Sequence, residues 1–161
     1  MGGTIEFIDP AYDKMNKELM KFDSSVENYL KNIVKPHFTY NIDSVCEKDS
    51  RDINHEDLNK LSEIIKSSPD NNILITHGTF TMKDTASFLE KLIINEKLDK
   101  RIIITGAMIP IAGFSISDAA FNLGYSLASF YNIEFGVYIC MNGGIFKPSD
   151  VEKNLELLRF E

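Results

Sequence analysis

Two short runs, Asn72–Thr76 (NILIT) and Arg101–Thr105 (RIIIT), constrain the fold of this chain more than any other feature. Each is dense in β-branched residues and closes on His-Gly or on Gly, the composition of strands buried on both faces. Between them, Met82–Asn95 has the length and apolar spacing of a crossover helix, with Thr81 as candidate cap and Asp84 in the first turn. Strand, helix and strand in this order make one βαβ unit.

A second unit follows. Residues 117–131 read as a helix rich in small side chains that can lie close against a sheet, and residues 135–141 (FGVYICM) read as the next strand. Upstream, residues 38–46 are expected to contain a strand, and Asn54 is expected to cap a helix over residues 55–66. Residues 9–35 are polar and are expected to end in a helix from about Ser25. The end of the chain, from Gly143, alternates too weakly for an assignment. The fold class is therefore α/β, in three layers, with a mostly parallel sheet and right-handed crossovers. At 161 residues, without a repeat or linker, a single domain over residues 1–161 is expected.

Composition excludes several functions. With 17 basic and 24 acidic residues the formal charge is -7, so no general field favours nucleic acid or anionic lipid. No run approaches the ~18 apolar residues that read as a membrane span, and MGGTIEFIDP lacks the pattern of a signal peptide. Cys46 and Cys140 have no metal-like spacing and suggest a reducing, cytoplasmic setting with both thiols free.

Ligands of open α/β sheets bind at the carboxyl ends of the strands, which directs attention to three loops. Thr76-His77-Gly78-Thr79-Phe80-Thr81 places three hydroxyls and an imidazole directly before a helix, where amides and a hydroxyl can hold an oxyanion or supply a nucleophile. Thr105-Gly106-Ala107-Met108-Ile109-Pro110 and Met141-Asn142-Gly143-Gly144 are equally consistent with plain turns. Neither GxGxxG nor GxxxxGK[ST] is present, which argues against a nucleotide. Gly2-Gly3-Thr4 is awkwardly placed. Such a turn normally needs a preceding strand to aim its amides, so either the sheet lacks an edge element or a strand from elsewhere takes that place.

Taken in order, these segments resemble the amino-terminal domain of the bacterial-type asparaginases and glutaminases, a flavodoxin- or Rossmann-like fold. Met1-Gly2-Gly3-Thr4-Ile5 resembles the first active loop, Asp49-Ser50-Arg51-Asp52-Ile53 the loop that holds the substrate carboxylate, and Ile75 through Met82 the second threonine loop. Thr105 through Pro110, Ser117 through Leu123, and Met141-Asn142-Gly143 followed by Val151-Glu152-Lys153 continue the resemblance. It implies an amidohydrolase that releases ammonia from a small amide such as L-asparagine and needs neither a metal nor an organic cofactor. Thr4 would attack the amide carbonyl, and Thr79 with Lys153 would form the pair that activates a nucleophile or water. Backbone amides around Gly3 and Gly78 would hold the oxyanion, Tyr12 would assist Thr4 from a lid, and Ser50, in a substrate-binding loop with Asp49 and Arg51, would help hold the substrate carboxylate. A homodimer or larger assembly is implied as well.

The chain departs from the family pattern at Phe80, where an aspartate that binds the substrate's α-ammonium is typical. Phenylalanine supplies no charge and no acceptor, so a loss of affinity for L-asparagine, a shift of preference toward an amide without an α-ammonium, or a loss of activity is expected. A packing role for Phe80 against the following helix is the competing expectation. Arg51 replaces a small or amide side chain, and the family's usual C-terminal domain and the strand before Gly2 are absent from this sequence. Three readings follow: an amidohydrolase, a catalytically degenerate domain that binds a small amino acid or forms an oligomer, and a fragment of a longer product.

Overall fold

The computed structural model describes residues 5–6, 25–111 and 116–161. Strand β1 (Asn72–Thr76) pairs in parallel with β2 (Arg101–Thr105), and β2 pairs in parallel with β3 (Gly136–Met141). The register runs Asn72 to Arg101 and Thr76 to Thr105, so the first two strands end level with each other. A fourth strand, β4 (Gly144–Phe146), turns back antiparallel on β3. Asn142 at φ 54° and Gly143 at φ 77° make that turn, the Asn-Gly pairing that a two-residue hairpin favours. The four-stranded order is β1-β2-β3-β4.

Before the sheet come a short helix, α1 (Ser25–Asn28), running into a π-helical turn over Tyr29–Val34, and a longer one, α2 (His55–Ser67). Asn54 caps α2 by accepting from Glu56 and Asp57 backbone amides, while the Asp57 carboxylate accepts from the Asn54 amide. Such a reciprocal cap stabilises a helix start by about 1 kcal/mol. Helix α3 (Met82–Asn95) joins β1 to β2, and α4 (Ala119–Ser129) joins β2 to β3.

Helices cover both faces of the sheet. On one face Leu61 and Ile65 of α2 and Met82, Ala86, Leu89 and Ile93 of α3 pack against Ile75, Ile102, Ile104, Val137 and Ile139. On the other, Val26 and Leu30 gather with Ile5, Ala107, Ala119 and Leu123, with Leu74 packed against them. Ile75, Ile102, Ile104, Val137 and Ile139 thus feed one core while Leu74 of β1 faces the other. The chain closes on a small hairpin of β5 (Lys153–Asn154) and β6 (Arg159–Phe160), anchored by buried Phe160.

Several expectations need correction. Residues 38–46 form no strand, because nothing described lies beside them to pair with. The helix expected over residues 117–131 spans Ala119–Ser129, and residue 135 precedes β3. Thr81 occupies the N-cap position of α3 without capping it. Its hydroxyl donates instead to the Ser50 carbonyl at 2.7 Å, a bond that couples two loops.

Candidate active site

At the carboxyl end of β1 the chain turns through His77, a fully buried side chain. Its Nδ1 lies 2.7 Å from the Gly78 carbonyl oxygen, so that nitrogen carries the proton, and Nε2 accepts from the Thr85 hydroxyl at 2.9 Å. Burial pushes the imidazole down to about 4, which keeps it neutral. His77 therefore braces the loop and takes no part in acid–base work at the surface.

The brace sets up a tight crossing. A Cβ on Gly78 would sit 2.7 Å from Ser50 Cβ and Oγ, so only glycine lets the two loops meet. Ser50 is 2% exposed, and its hydroxyl has no hydrogen-bond partner. An unsatisfied buried hydroxyl is unusual in a folded protein and marks a place where a polar group is awaited.

Next to that crossing stands the pair that dominates the site. Lys153 Nζ, from β5, donates to Thr79 Oγ1 at 2.7 Å, although the residues are 74 positions apart in sequence. Thr79 is buried and Lys153 half-buried. Desolvation holds the ammonium below the usual lysine value, which makes its neutral form more accessible as a proton acceptor.

Phe80 does not enter the core. It is 57% exposed, and its ring lies 4.1 Å from Lys153 Nζ and 4.8 Å from the Arg51 guanidinium carbon. The expected alternative, packing against α3, is therefore not the arrangement adopted. Two cations flank one ring face or edge, a contact worth about 0.5–1 kcal/mol each when exposed. Arg51 is in turn held by Asp49, with Nε to Oδ1 at 2.9 Å and Nη2 to Oδ2 at 3.1 Å. The guanidinium and the Arg51 amide hold the Asp49 carboxyl down to about 2. As placed, the fork expected to meet a substrate carboxylate is occupied by its own neighbour.

Thus Asp49, Ser50, Arg51, Gly78, Thr79, Phe80 and Lys153 come together around one crossing of loops. Gly3, Thr4 and Tyr12 lie outside the described residues.

One supporting network was not anticipated in detail. The Asp118 carboxylate accepts from the backbone amides of Met108 and Ile109, at 2.9–3.1 Å, and fixes the loop after β2. Asn122 Nδ2 donates to the Gly106 carbonyl at 3.0 Å and to Asp118 at 2.9 Å, while its Oδ1 accepts from the Asn142 amide at 3.0 Å. Asn142 Oδ1 then accepts from the Phe160 amide at 3.0 Å. The signal in the sequence is the Asp118 and Asn122 spacing of four, which puts both polar groups on one helix face.

Compared with known proteins, residues 1–156 match the family model described as asparaginase, N-terminal. The chain belongs to the asparaginase family. Among relatives, a glutaminase-asparaginase of Acinetobacter glutaminasificans is 34% identical over 101 residues, covering 61% of this chain and 29% of that protein. L-asparaginase 2 of Escherichia coli strain K12 is 31% identical over 159 residues, covering 94% of this chain and 44% of that protein. The crystal structure of a probable cytoplasmic L-asparaginase from Campylobacter jejuni superposes with a TM-score of 0.76 at 27% identity, covering all of this chain and 50% of that one. This asparaginase-family chain therefore spans less than half the length of the two sequence relatives. Among its described residues no helix is long and apolar enough to cross a membrane, and no group of three or more His, Cys, Asp or Glu is placed to hold a metal ion.

Proposed function

We propose that the chain is an asparaginase-type amidohydrolase that releases ammonia from a small amide by a threonine nucleophile. The observation that carries this reading is the 2.7 Å contact of Lys153 Nζ with Thr79 Oγ1 beside the unsatisfied Ser50 hydroxyl. A threonine hydroxyl is a weak nucleophile at its free pKa and needs a neighbouring base. A lysine whose ammonium is disfavoured by burial supplies one.

In this mechanism Thr4 adds to the side-chain amide carbonyl, and Tyr12 helps take its proton. Amides at Gly3 and Gly78 stabilise the oxyanion. The departing nitrogen takes up a proton and leaves as ammonia, giving an ester on the threonine. Water, deprotonated through Thr79 and Lys153, then cleaves that ester to the free carboxylic acid. Amide plus water gives acid plus ammonia, and no cofactor is consumed.

Phe80 refines the substrate. With Lys153 and Arg51 both near its ring and Asp49 committed to Arg51, an α-ammonium beside Thr79 meets like charge without a free carboxylate in this loop pair. An amide that carries a carboxylate but no ammonium suits the arrangement better than L-asparagine. We read residues 1–161 as one α/β unit, cytoplasmic and working as a homodimer or larger assembly. The free thiol of Cys140 and the name of the Campylobacter protein support the compartment.

Purified protein incubated with L-asparagine and with succinamate should release ammonia, and Thr4→Ala and Thr79→Ala should each abolish it. Ammonia release that survives both substitutions would end the threonine reading. No release from any small amide, with retained binding of the acid product, would favour the degenerate domain. Sedimentation as a monomer across micromolar concentrations would remove the oligomer from the reading.

A further inference from the structure

Protonated Lys153 has three N–H groups, and among the described residues its one hydrogen bond goes to Thr79 Oγ1. Acidic groups on the elements around it are engaged elsewhere. In the loop before α2, Asp49 is forked to Arg51. The residue before the lysine, Glu152, pairs with Lys83 of α3, and on β6 Glu161 accepts from Arg159 and Asn154. Asp150 accepts from the Ser149 hydroxyl, while Asp52 and Asp84 are exposed. Burial therefore lowers the proton affinity of this lysine with no described carboxylate to restore it.

What the ammonium does lie over is a ring. Nζ is 4.1 Å from the Phe80 centroid, inside the ~6 Å reach of a cation–π contact. A flexible lysine stem held by a single hydrogen bond leaves its head free to swing, and a contact from a second direction fixes it.

The ring is itself fixed. The Arg51 guanidinium carbon lies 4.8 Å from its centroid, and Arg51 is tied to Asp49 through Nε, Nη2 and its backbone amide. With 57% of Phe80 in solvent, core packing does not set the place of the ring. The two cations do. Contacts thus run from Asp49 through Arg51, Phe80 and Lys153 to Thr79, and join the loop before α2 to the hairpin of β5 and β6.

We propose that Phe80 is a positioning residue: its ring, held by Arg51, keeps the Lys153 ammonium on Thr79 Oγ1 where no described carboxylate faces it. This deepens the amidohydrolase reading and rests on it, since the pair serves hydrolysis only if Lys153 takes up a proton from water through Thr79. The ring attracts the charged amine and so opposes desolvation. Weakening the ring should therefore do two things at once, lower the pH at which the lysine gives up its proton and loosen its seat on Thr79.

The test replaces Phe80 alone, in the full chain, by 4-fluoro-, 3,5-difluoro- and 3,4,5-trifluorophenylalanine. Fluorine withdraws the negative charge of the ring face and leaves the shape of the side chain nearly as it was. Carbon-13 labels at lysine Cε and threonine Cβ follow both partners by NMR, with Lys153→Met and Thr79→Ser assigning the two signals. The Lys153 titration should step down along the series, by about half a pH unit in all, and Phe80→Leu should match the trifluoro variant. In wild type the Thr79 Cβ signal should titrate in step with Lys153, and that response should shrink as fluorines are added. The rising limb of ammonia release should move down with the lysine. A Lys153 titration that stays in place along the series would overturn the proposal, even in a protein that releases ammonia. A titration that moves while the Thr79 response stays whole would also overturn it, because the ring would then tune the charge without seating it. Both NMR changes in a protein that releases no ammonia from any small amide would uphold the contact and end the amidohydrolase reading instead.

Discussion

The side-chain oxygen of Asn142 accepts the backbone amide of Phe160 at 3.0 Å, and so ties the turn after β3 to the hairpin that carries Lys153. Lys153 and Phe160 are register partners in that hairpin. Asn142 is itself held through its amide by Asn122. The position of the lysine is therefore set by a chain of amides that starts on α4.

Replacing Asn142 by glycine tests this coupling cleanly, because glycine tolerates the positive φ that Asn142 adopts. The loss of this part-buried hydrogen bond should cost about 0.5–1.5 kcal/mol, which lowers Tm by roughly 1–6 °C for a chain of this size. Ammonia release should fall by about tenfold, more than the stability change explains. Rates measured well below Tm against wild type separate the two effects.

Lys153→Met should lower kcat by about 10²–10⁴ while the circular dichroism spectrum stays unchanged. Because desolvation lowers the Lys153 pKa, wild-type activity should rise with pH along a limb centred below 10.5. Lys153→Arg should abolish that limb, since a guanidinium stays protonated throughout. A limb unchanged in the arginine variant would assign the titration to another group.

His77 gives a separate pH effect, on stability. Its folded pKa is about 4 against 6.5 for the free side chain, so below 6.5 the unfolded chain binds more protons. Stability is therefore full above about 6.5 and falls as pH drops toward 4, by about 3 kcal/mol in all. Asp49, held at about 2 by Arg51, acts in a lower window, between 3.8 and 2. Urea unfolding of wild type and His77→Gln from pH 7 to 4 should show the acid slope in wild type and a flatter line in the variant.

Phe80→Asp should raise kcat/KM for L-asparagine relative to succinamate by about tenfold or more, through an acceptor for the α-ammonium. With Phe80 at 57% exposure, Tm should move little. Equal changes for the two amides in a folded variant would remove residue 80 from ammonium recognition.

Gly78→Ala places a methyl 2.7 Å from Ser50 Cβ and should destabilise by about 1–3 kcal/mol as the loops are forced apart. If Ser50 holds a substrate carboxylate, KM should rise more than kcat falls.

How much of this was legible in the sequence depends on how local each signal is. The runs at residues 72–76 and 101–105 announce buried strands because β-branched density needs no partner to be read. Asn54 announces the start of α2 because a cap acts within three residues. Residues 38–46 misled for the opposite reason: their alternation is real, but a strand exists only when another backbone lies beside it. At the site, ordered motifs brought Thr79 and Lys153 forward although they are 74 positions apart. The bond from Thr81 to Ser50 could not be read, because a threonine before a helix looks like its cap wherever its hydroxyl points.

Lys153 sits on a hairpin of two short strands, steadied by paired backbone bonds between Glu152 and Glu161, by Phe160 in the core and by an ion pair of Glu152 with Lys83. Its turn leaves Leu155, Leu157 and Leu158 exposed, and Leu158 adopts a positive φ. An element so lightly attached opens at a lower free energy than the sheet. On warming, the protein should consequently go silent before it melts: ammonia release should collapse, reversibly, several degrees below the loss of the far-ultraviolet signal, so that the upper limit of its working range belongs to the last ten residues and not to the core.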